Sequence, residues 1–308
     1  MTAVISATNL SKYYGNVLGL NDVTLEIESG ITGLLGPNGA GKSTFMKLIT
    51  GQLKPNIGTV AVGGRRVWNN YHLFANVGFC PEQDVFYEDV TGWEFLAGLL
   101  RFYGYSETEV KERALKALDI VELLKDKDRK IRGYSRGMRQ RIKFAQAIAH
   151  GPEIIILDEP LSGLDPLGKR KLIKLIKDYR AEGKTVLVSS HVLPEVEAMT
   201  TRIVLVHQGK ILAQGDIHYI RDLIETHPHM ISLKCSNPRL VASRFVQENS
   251  ILKMSFGTDG RSLVVETHSR DTFFTRLQSV VLEEGVEVEE IMSPDDNLQA
   301  VFDYLVGK

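Results

Sequence analysis

The segment Gly36-Pro37-Asn38-Gly39-Ala40-Gly41-Lys42-Ser43-Thr44 satisfies the pattern G-x-x-x-x-G-K-[ST] and constrains the fold more than any other part of the chain. Ile31 to Leu35 before it reads as a strand, and Lys42 to about Thr50 after it reads as a helix stopped by Gly51. A strand, a glycine-rich loop and a helix in that order make a phosphate cradle. Small residues let successive backbone N–H groups curl around an anion, and the helix N-terminus adds its positive dipole end. In this pattern Lys42 reaches the β- and γ-phosphates of a nucleotide and the Ser43 hydroxyl binds Mg²⁺.

A second element is Glu153-Ile154-Ile155-Ile156-Leu157-Asp158-Glu159-Pro160, an apolar strand that delivers two adjacent carboxylates to one end of a sheet. Alone, such a pair is equally well a solvated turn. Beside a phosphate loop it becomes a reaction centre, because ligand chemistry in open α/β sheets belongs at the carboxyl edge of the strands. Asp158 is then placed to hold Mg²⁺ and Glu159 to orient and deprotonate an attacking water.

The rest of the chain arranges itself around these two elements. Val23, Leu25 and Ile27 alternate with Thr24, Glu26 and Glu28 ahead of Ser29-Gly30, the pattern of a half-buried antiparallel strand ending in a turn. Ile154 to Leu157 and Thr185 to Ser189 are short, nearly continuous apolar runs separated by a helical stretch from Pro166 to Ala181, as in a parallel sheet buried on both faces. A hairpin, Ile203 to Val206 and Ile211 to Ala213 across Gln208-Gly209, closes the region. Between the halves of this sheet, about Phe86 to His150 reads as an almost wholly helical insertion. From Ile231 onward the predicted order is βαββαβ, the ferredoxin-like arrangement, with strands at 231–235, 251–256, 262–267 and 286–291, helices opened by Asn237-Pro238 and spanning Arg270 to Glu284, and a last helix after Ser293-Pro294. Two domains follow: residues 1–220, and an accessory domain over 221–308.

Composition narrows the function classes. The 308 residues are 43% hydrophobic and 24% charged, with 37 Lys+Arg against 38 Asp+Glu, which excludes disordered and fibrous classes. A net charge of -1 supplies no global field for nucleic acid or anionic lipid. Cys80 and Cys235 lie far apart without metal-ligand or redox spacing and read as packed thiols of a reducing compartment. Met1 to Ser11 lacks the basic start and apolar run of a signal peptide, and no apolar run approaches the ~18 residues of a membrane span; the chain is expected not to cross a membrane by itself. Lys125 to Lys143 holds nine Lys/Arg against two Asp, a local basic run read in good part as a solvated helical face, with no nucleic acid expected. The acidic stretch from Glu283 to Asp296 reads as exposed surface.

Tyr134-Ser135-Arg136-Gly137-Met138-Arg139-Gln140 resembles the signature sequence of ABC ATPases, and the resemblance covers roughly residues 1–215 with the motifs in the family's order. It implies a P-loop NTPase (RecA-like) core with an antiparallel β subdomain and an inserted α-helical subdomain, acting on Mg·ATP. By the same resemblance Tyr14 is similar to the aromatic that stacks on adenine, Ser162-Gly163-Leu164-Asp165 to the D-loop, and His191 in Val188-Ser189-Ser190-His191 to the switch histidine. Ser135 and Gly137 are then expected to contact the γ-phosphate held by another subunit, so that a chain with one phosphate loop and one signature works as a homodimer or with a similar ATPase. Family members carry a glutamine after the strand preceding the helical insertion. Here the segment is Phe79-Cys80-Pro81-Glu82-Gln83, which leaves both Glu82 and Gln83 as candidates for sensing Mg²⁺ and water.

Seven aromatics crowd Phe86 to Tyr105. On a helix, Trp93, Leu96, Leu100 and Tyr103 share one face and Phe95, Leu99 and Phe102 another, so the second face reads either as a thick core or as the groove where a helix of a membrane subunit docks. Gly137-Met138-Arg139-Gln140-Arg141, the Cys80-Pro81-Glu82 loop and the tail Asn297-Leu298-Gln299-Ala300-Val301-Phe302 together resemble exporter-type ATPases handling drugs, lipids or glycans. The resemblance thus implies an ATPase on the cytoplasmic face of the cell membrane, peripheral through a separate permease. The competing readings are an importer ATPase whose C-terminal domain senses a ligand, and a non-transport ABC ATPase acting on DNA or ribosomes.

Overall fold

A computed structural model describes residues 3–222 and 228–294. The chain divides into two compact units, Met1–Gly215 and Asp216–Lys308.

In the first unit, β1 (Ile5–Tyr14) and β2 (Val17–Ile27) form a long antiparallel hairpin. The alternation at the end of β2 is realised, with Val23, Leu25 and Ile27 buried and Thr24 and Glu26 exposed. β3 (Ile31–Leu35) is buried at every position and leads through the glycine loop into α1 (Lys42–Ile49). β4 (Ile57–Val62) and β5 (Arg65–Arg66) complete a four-stranded sheet in the order β2-β1-β4-β5. β6 (Val77–Cys80) precedes the helical insertion of α2 (Gly92–Phe102), α3 (Glu107–Ile120) and α4 (Arg136–Ile148). The chain then runs through β7 (Ile154–Leu157), α5 (Pro166–Ala181), β8 (Thr185–Ser190), α6 (Leu193–Glu197), β9 (Arg202–His207) and β10 (Lys210–Asp216).

The central sheet has the order β10-β9-β3-β8-β7-β6, and β6·β7, β7·β8, β8·β3 and β3·β9 all pair in parallel. Every residue of β7 and β8 is buried, which explains their unbroken apolar or small composition. One core packs the antiparallel sheet and α1 against the central sheet through Leu10, Leu20, Phe45 and Leu187. The other lies under the insertion and joins Leu96, Val110, Leu118 and Phe144 to Ile155 and Val186. Burying a side chain such as Phe45, 1% exposed, contributes about 2–3 kcal/mol.

The insertion is less helical than its sequence suggests. α2 and α3 each open on a capping box, Thr91 with Glu94 and Ser106 with Glu109. The connections 85–91 and 121–135 instead run as loop and short 3₁₀ turns, tied together where Ile131 N–H donates to Val90 O and Arg132 N–H to Glu88 O. The second aromatic face is also mostly core. Phe95 is 6% exposed and packs edge-on against Phe86 at 5.5 Å, and Leu99 packs against the same cluster, leaving only Phe102 open at 90%. A period of 3.6 marks both stripes as apolar but says nothing of which neighbour covers each.

In the second unit, α7 (Ile217–Asp222) is followed by β11 (His229–Cys235), α8 (Pro238–Phe245), β12 (Ile251–Phe256), β13 (Ser262–Thr267), α9 (Arg270–Glu284) and β14 (Val288–Met292). The sheet order β12-β13-β11-β14 with all pairs antiparallel is the ferredoxin-like topology. Phe245 of α8 stacks on Phe273 of α9 at 4.9 Å in its core, and Gly285 at φ 62° ends α9. The helix expected after Ser293-Pro294 and the tail from Asn297 to Phe302 fall outside the described residues. Among the described residues no helix is long and apolar enough to cross a membrane.

Candidate active site

The turn from β3 into α1 uses its glycines for room. Gly36 has φ 154°, and a Cβ there would run into Val206 O; Gly41 has φ 113°, and its Cβ would meet Gly19 O at 2.7 Å and Leu20 Cδ2 at 2.9 Å. Gly41 is also the N-cap of α1 and offers no side-chain cap, so the first N–H groups of the helix are left to an external acceptor. Lys42 is 6% exposed and its Nζ donates to Gly36 O at 2.6 Å and to Pro37 O at 3.2 Å. Burial lowers its pKa, against the opposing pull of Glu159, Asp158 and Glu82.

At the end of β7, Asp158 and Glu159 are 3% and 8% exposed. The backbone turns sharply between them and the next segment, with Glu159 in the left-handed region at φ 49°. Ser189 of β8 locks this turn: its hydroxyl donates to Asp158 Oδ1 at 2.6 Å and accepts the Glu159 N–H at 2.9 Å. His191, just beyond β8, places Nδ1 2.9 Å from Glu159 Oε1, and Lys42 Nζ lies 3.9 Å from the same oxygen. Burial pushes the Glu159 carboxyl above the usual carboxylate range, with His191 and Lys42 pulling the other way.

Lys42 and Glu159 open on a cleft of about 360 Å³ lined also by the rest of the loop from Asn38 to Thr44, by Glu82 and by Tyr14 beside Val17 to Gly19, whereas Asp158 and His191 are not among its lining residues. Tyr14 lines the cleft and its neighbour Tyr13 does not, although both are partly exposed. The Tyr14 hydroxyl lies 3.4 Å from Thr44 Oγ1. Glu82 lines the same cleft and Gln83 does not, although both are exposed.

Ser135, Gly137 and Asp165 gather elsewhere. They line a separate groove of about 750 Å³ between the insertion and α5, which holds none of the phosphate-loop residues. Ser135 caps α4 by accepting the Met138 N–H at 3.3 Å, and Asp165 caps α5 by accepting the Gly168 N–H at 2.9 Å. The basic run around them is largely paired. Arg139 forks onto Glu88 at 2.7 and 2.8 Å, Arg132 reaches Asp89 at 3.0 Å, and Arg129 and Lys127 pair with Asp126 and Asp128.

Three side chains escaped the sequence reading. Ser189 sits inside an expected motif, but its bond to Asp158 spans 31 positions. Gln140 is buried and donates to Pro160 O at 2.7 Å; Lys143, also buried, donates to Glu82 O at 2.7 Å. Lys143 was visible only as one charge of a basic run, a signal that carries no partner.

Residues 20–162 match the family model described as ABC transporter. The bacitracin transport ATP-binding protein BcrA of Enterococcus faecalis is 33% identical over 100% of this chain and 97% of its own length. Among solved structures, an ATP-binding subunit of an ABC transporter superposes with a TM-score of 0.66 at 31% identity, over 71% of this chain and 92% of the other. The dimeric post-hydrolysis cassette MJ0796 bound to ADP and Pi superposes with a TM-score of 0.63 at 27% identity, over 69% and 98%.

Proposed function

The chain belongs to the family of ABC transporter ATP-binding subunits, and from that premise we propose that it pairs with a second such subunit and drives a separate export permease from the cytoplasmic face of the membrane. Its reaction is ATP hydrolysis. The observation that carries the pairing is the separation of the two motif groups: Ser135, Gly137 and Asp165 lie in one groove and Lys42, Ser43 and Glu159 in another cleft. Each chain then brings an incomplete half to each of two sites. The dimeric ADP-bound relative supports this arrangement. The exporter assignment leans on the bacitracin transport relative, whose length this chain spans almost completely.

Within the cleft, the loop N–H groups and Lys42 hold the β- and γ-phosphates, and the Tyr14 ring stacks on adenine. Glu159 takes the proton from the attacking water. Its raised pKa suits a base that must be ionised yet reactive at neutral pH, and His191 fixes which way its carboxylate points. Ser135 and Gly137 of the opposing chain close over the γ-phosphate.

Mg²⁺ fits the donors present. Among the described residues no group of three or more His, Cys, Asp or Glu assembles, which argues against an all-protein metal cage. The oxygens of Ser43, Glu82 and Asp158 suit a hard cation that keeps several waters and takes its remaining ligands from phosphate. When bound, the ion neutralises phosphate charge as it develops.

The decisive experiment is to express the Glu159→Gln chain in its native cells, solubilise membranes with Mg·ATP and identify what copurifies. A stoichiometric integral membrane protein is expected. Recovery only in the soluble fraction, with ribosomes, DNA or nothing, would overturn the transporter reading.

A further inference from the structure

Helix α4 carries two buried polar side chains one turn apart, Gln140 and Lys143, on the same face. Each donates to the backbone of a loop that holds a cleft carboxylate. Gln140 Nε2 reaches Pro160 O, the carbonyl next after Glu159, at 2.7 Å. Lys143 Nζ reaches the carbonyl of Glu82 itself at 2.7 Å and Asp84 Oδ1 at 2.9 Å.

The Lys143 side chain is 3% exposed. A buried ammonium is a poor source of stability, since an apolar residue of similar volume commonly serves as well or better. Its position accounts for it instead. Holding the Glu82 carbonyl restricts the backbone of the residue whose side chain lines the cleft with Lys42 and Ser43. Asp84 balances the charge from the same loop, and the loop's outer end is held to α4 by the Arg139 fork on Glu88.

We infer that Lys143 is a positioning residue for the metal- and water-facing carboxylate: from α4 it fixes the backbone of Glu82, and Gln140 fixes the Glu159 loop from the same helix face. This rests on the assignment of Glu82 to the metal site. Lys143 itself touches neither nucleotide nor metal, so its effect must pass through Glu82.

The test uses the full chain in the Glu159→Gln background, with ATP present and Mn²⁺ as the probe, followed by its electron paramagnetic resonance. Lys143→Met is expected to raise the Mn²⁺ concentration for half-saturation by about tenfold or more, the cost typical of losing an outer partner of a metal ligand. Lys143→Arg restores it, and ATP affinity without divalent metal stays unchanged. Glu82→Ala shifts the Mn²⁺ requirement by itself, and adding Lys143→Met to it shifts it no further. An unchanged Mn²⁺ requirement in Lys143→Met, with Glu82→Ala shifted, overturns the positioning role and leaves Glu82 in place. No shift in Glu82→Ala removes Glu82 from the metal site and the proposal with it. Additive shifts in the double variant also overturn it, because Lys143 would then act elsewhere. If Lys143→Met does not fold, Asp84→Asn cuts the same latch from its more exposed end and is expected to shift the requirement in the same direction; no shift overturns the latch.

Discussion

The Ser189 hydroxyl stands between the two carboxylate residues at the end of β7, donating to Asp158 Oδ1 at 2.6 Å while accepting the backbone N–H of Glu159 at 2.9 Å. One side chain on β8 therefore sets both the rotamer of Asp158 and the left-handed backbone of Glu159 on β7's exit. Ser189→Ala is expected to lower turnover on the order of 10- to 100-fold, the scale of a small misplacement of a reacting group, with KM for ATP little changed. It also strands a buried carboxylate oxygen and costs about 1–3 kcal/mol of stability. Steady-state ATPase assays and urea unfolding measure the two effects separately; wild-type turnover in the variant would remove Ser189 from the machinery.

Tyr14 lines the cleft beside the glycine loop and Tyr13 does not. Tyr14→Ala should weaken ATP binding by about 1–3 kcal/mol, the range for one base on one ring. Tyr14→Phe should bind as the wild type does, because the 3.4 Å approach of the hydroxyl to Thr44 is too long to matter much. Titration with a fluorescent ATP analogue decides the point. A Phe variant as weak as the Ala variant would transfer the role from ring to hydroxyl, and a Tyr13→Ala variant serves as the control.

Of the two candidates after Pro81, Glu82 lines the cleft and Gln83 does not. Glu82→Ala should therefore reduce turnover by about tenfold or more while ATP affinity holds. Gln83→Ala should leave turnover within about twofold, as an exposed side chain away from such features does. Equal effects of the two changes would mean that the loop acts as a whole rather than through one carboxylate.

His150 is 5% exposed, stacks on Tyr103 at 4.4 Å, and its Nε2 has no partner among the described residues. Burial drives its pKa down to about 4. Between that value and the usual 6.5 the unfolded chain takes up a proton that the folded chain refuses, so stability is full above pH 6.5 and is lost as pH falls through 4. The loss at the acid end is on the order of 3 kcal/mol. Urea unfolding at pH 7, 6 and 5 should show this decline, and His150→Phe should flatten it; an equally steep decline in the variant would assign the effect to other groups.

The parts legible in the sequence are those whose partners lie nearby in the chain. The phosphate loop announces itself because Gly36, Gly41 and Lys42 do their work within nine positions, and β7 and β8 because burial on both faces writes itself as runs of apolar or small residues. The ferredoxin-like order of the second unit was legible from turn and cap residues such as Asn237-Pro238 and Gly285. What stayed hidden depends on distant neighbours. Strands β1 and β4 mix polar and apolar positions and are bent by register shifts near Asn9, so they show no clean period. Phe95 looked free to meet a partner because its cover, Phe86, comes from a loop. Lys143 looked like one more solvated cation, since the carbonyl it holds is 61 positions away.

The pairing of the 84–89 loop with the basic residues between Arg132 and Lys143 is graded along its length. At its outer end, Arg132 with Asp89 and Arg139 with Glu88 are partly or largely open to water, and such contacts weaken as the Debye length falls from about 10 Å at 0.1 M salt to about 3 Å at 1 M. At its inner end the Lys143 ammonium is shielded and nearly blind to salt. Val85 and Tyr87, 74% and 76% exposed, lie between the two ends. Rising ionic strength therefore weakens the ion pairs at Asp89 and Glu88 before it reaches the contact on the Glu82 carbonyl, so the residue that lines the cleft is held by the salt-resistant end of the loop.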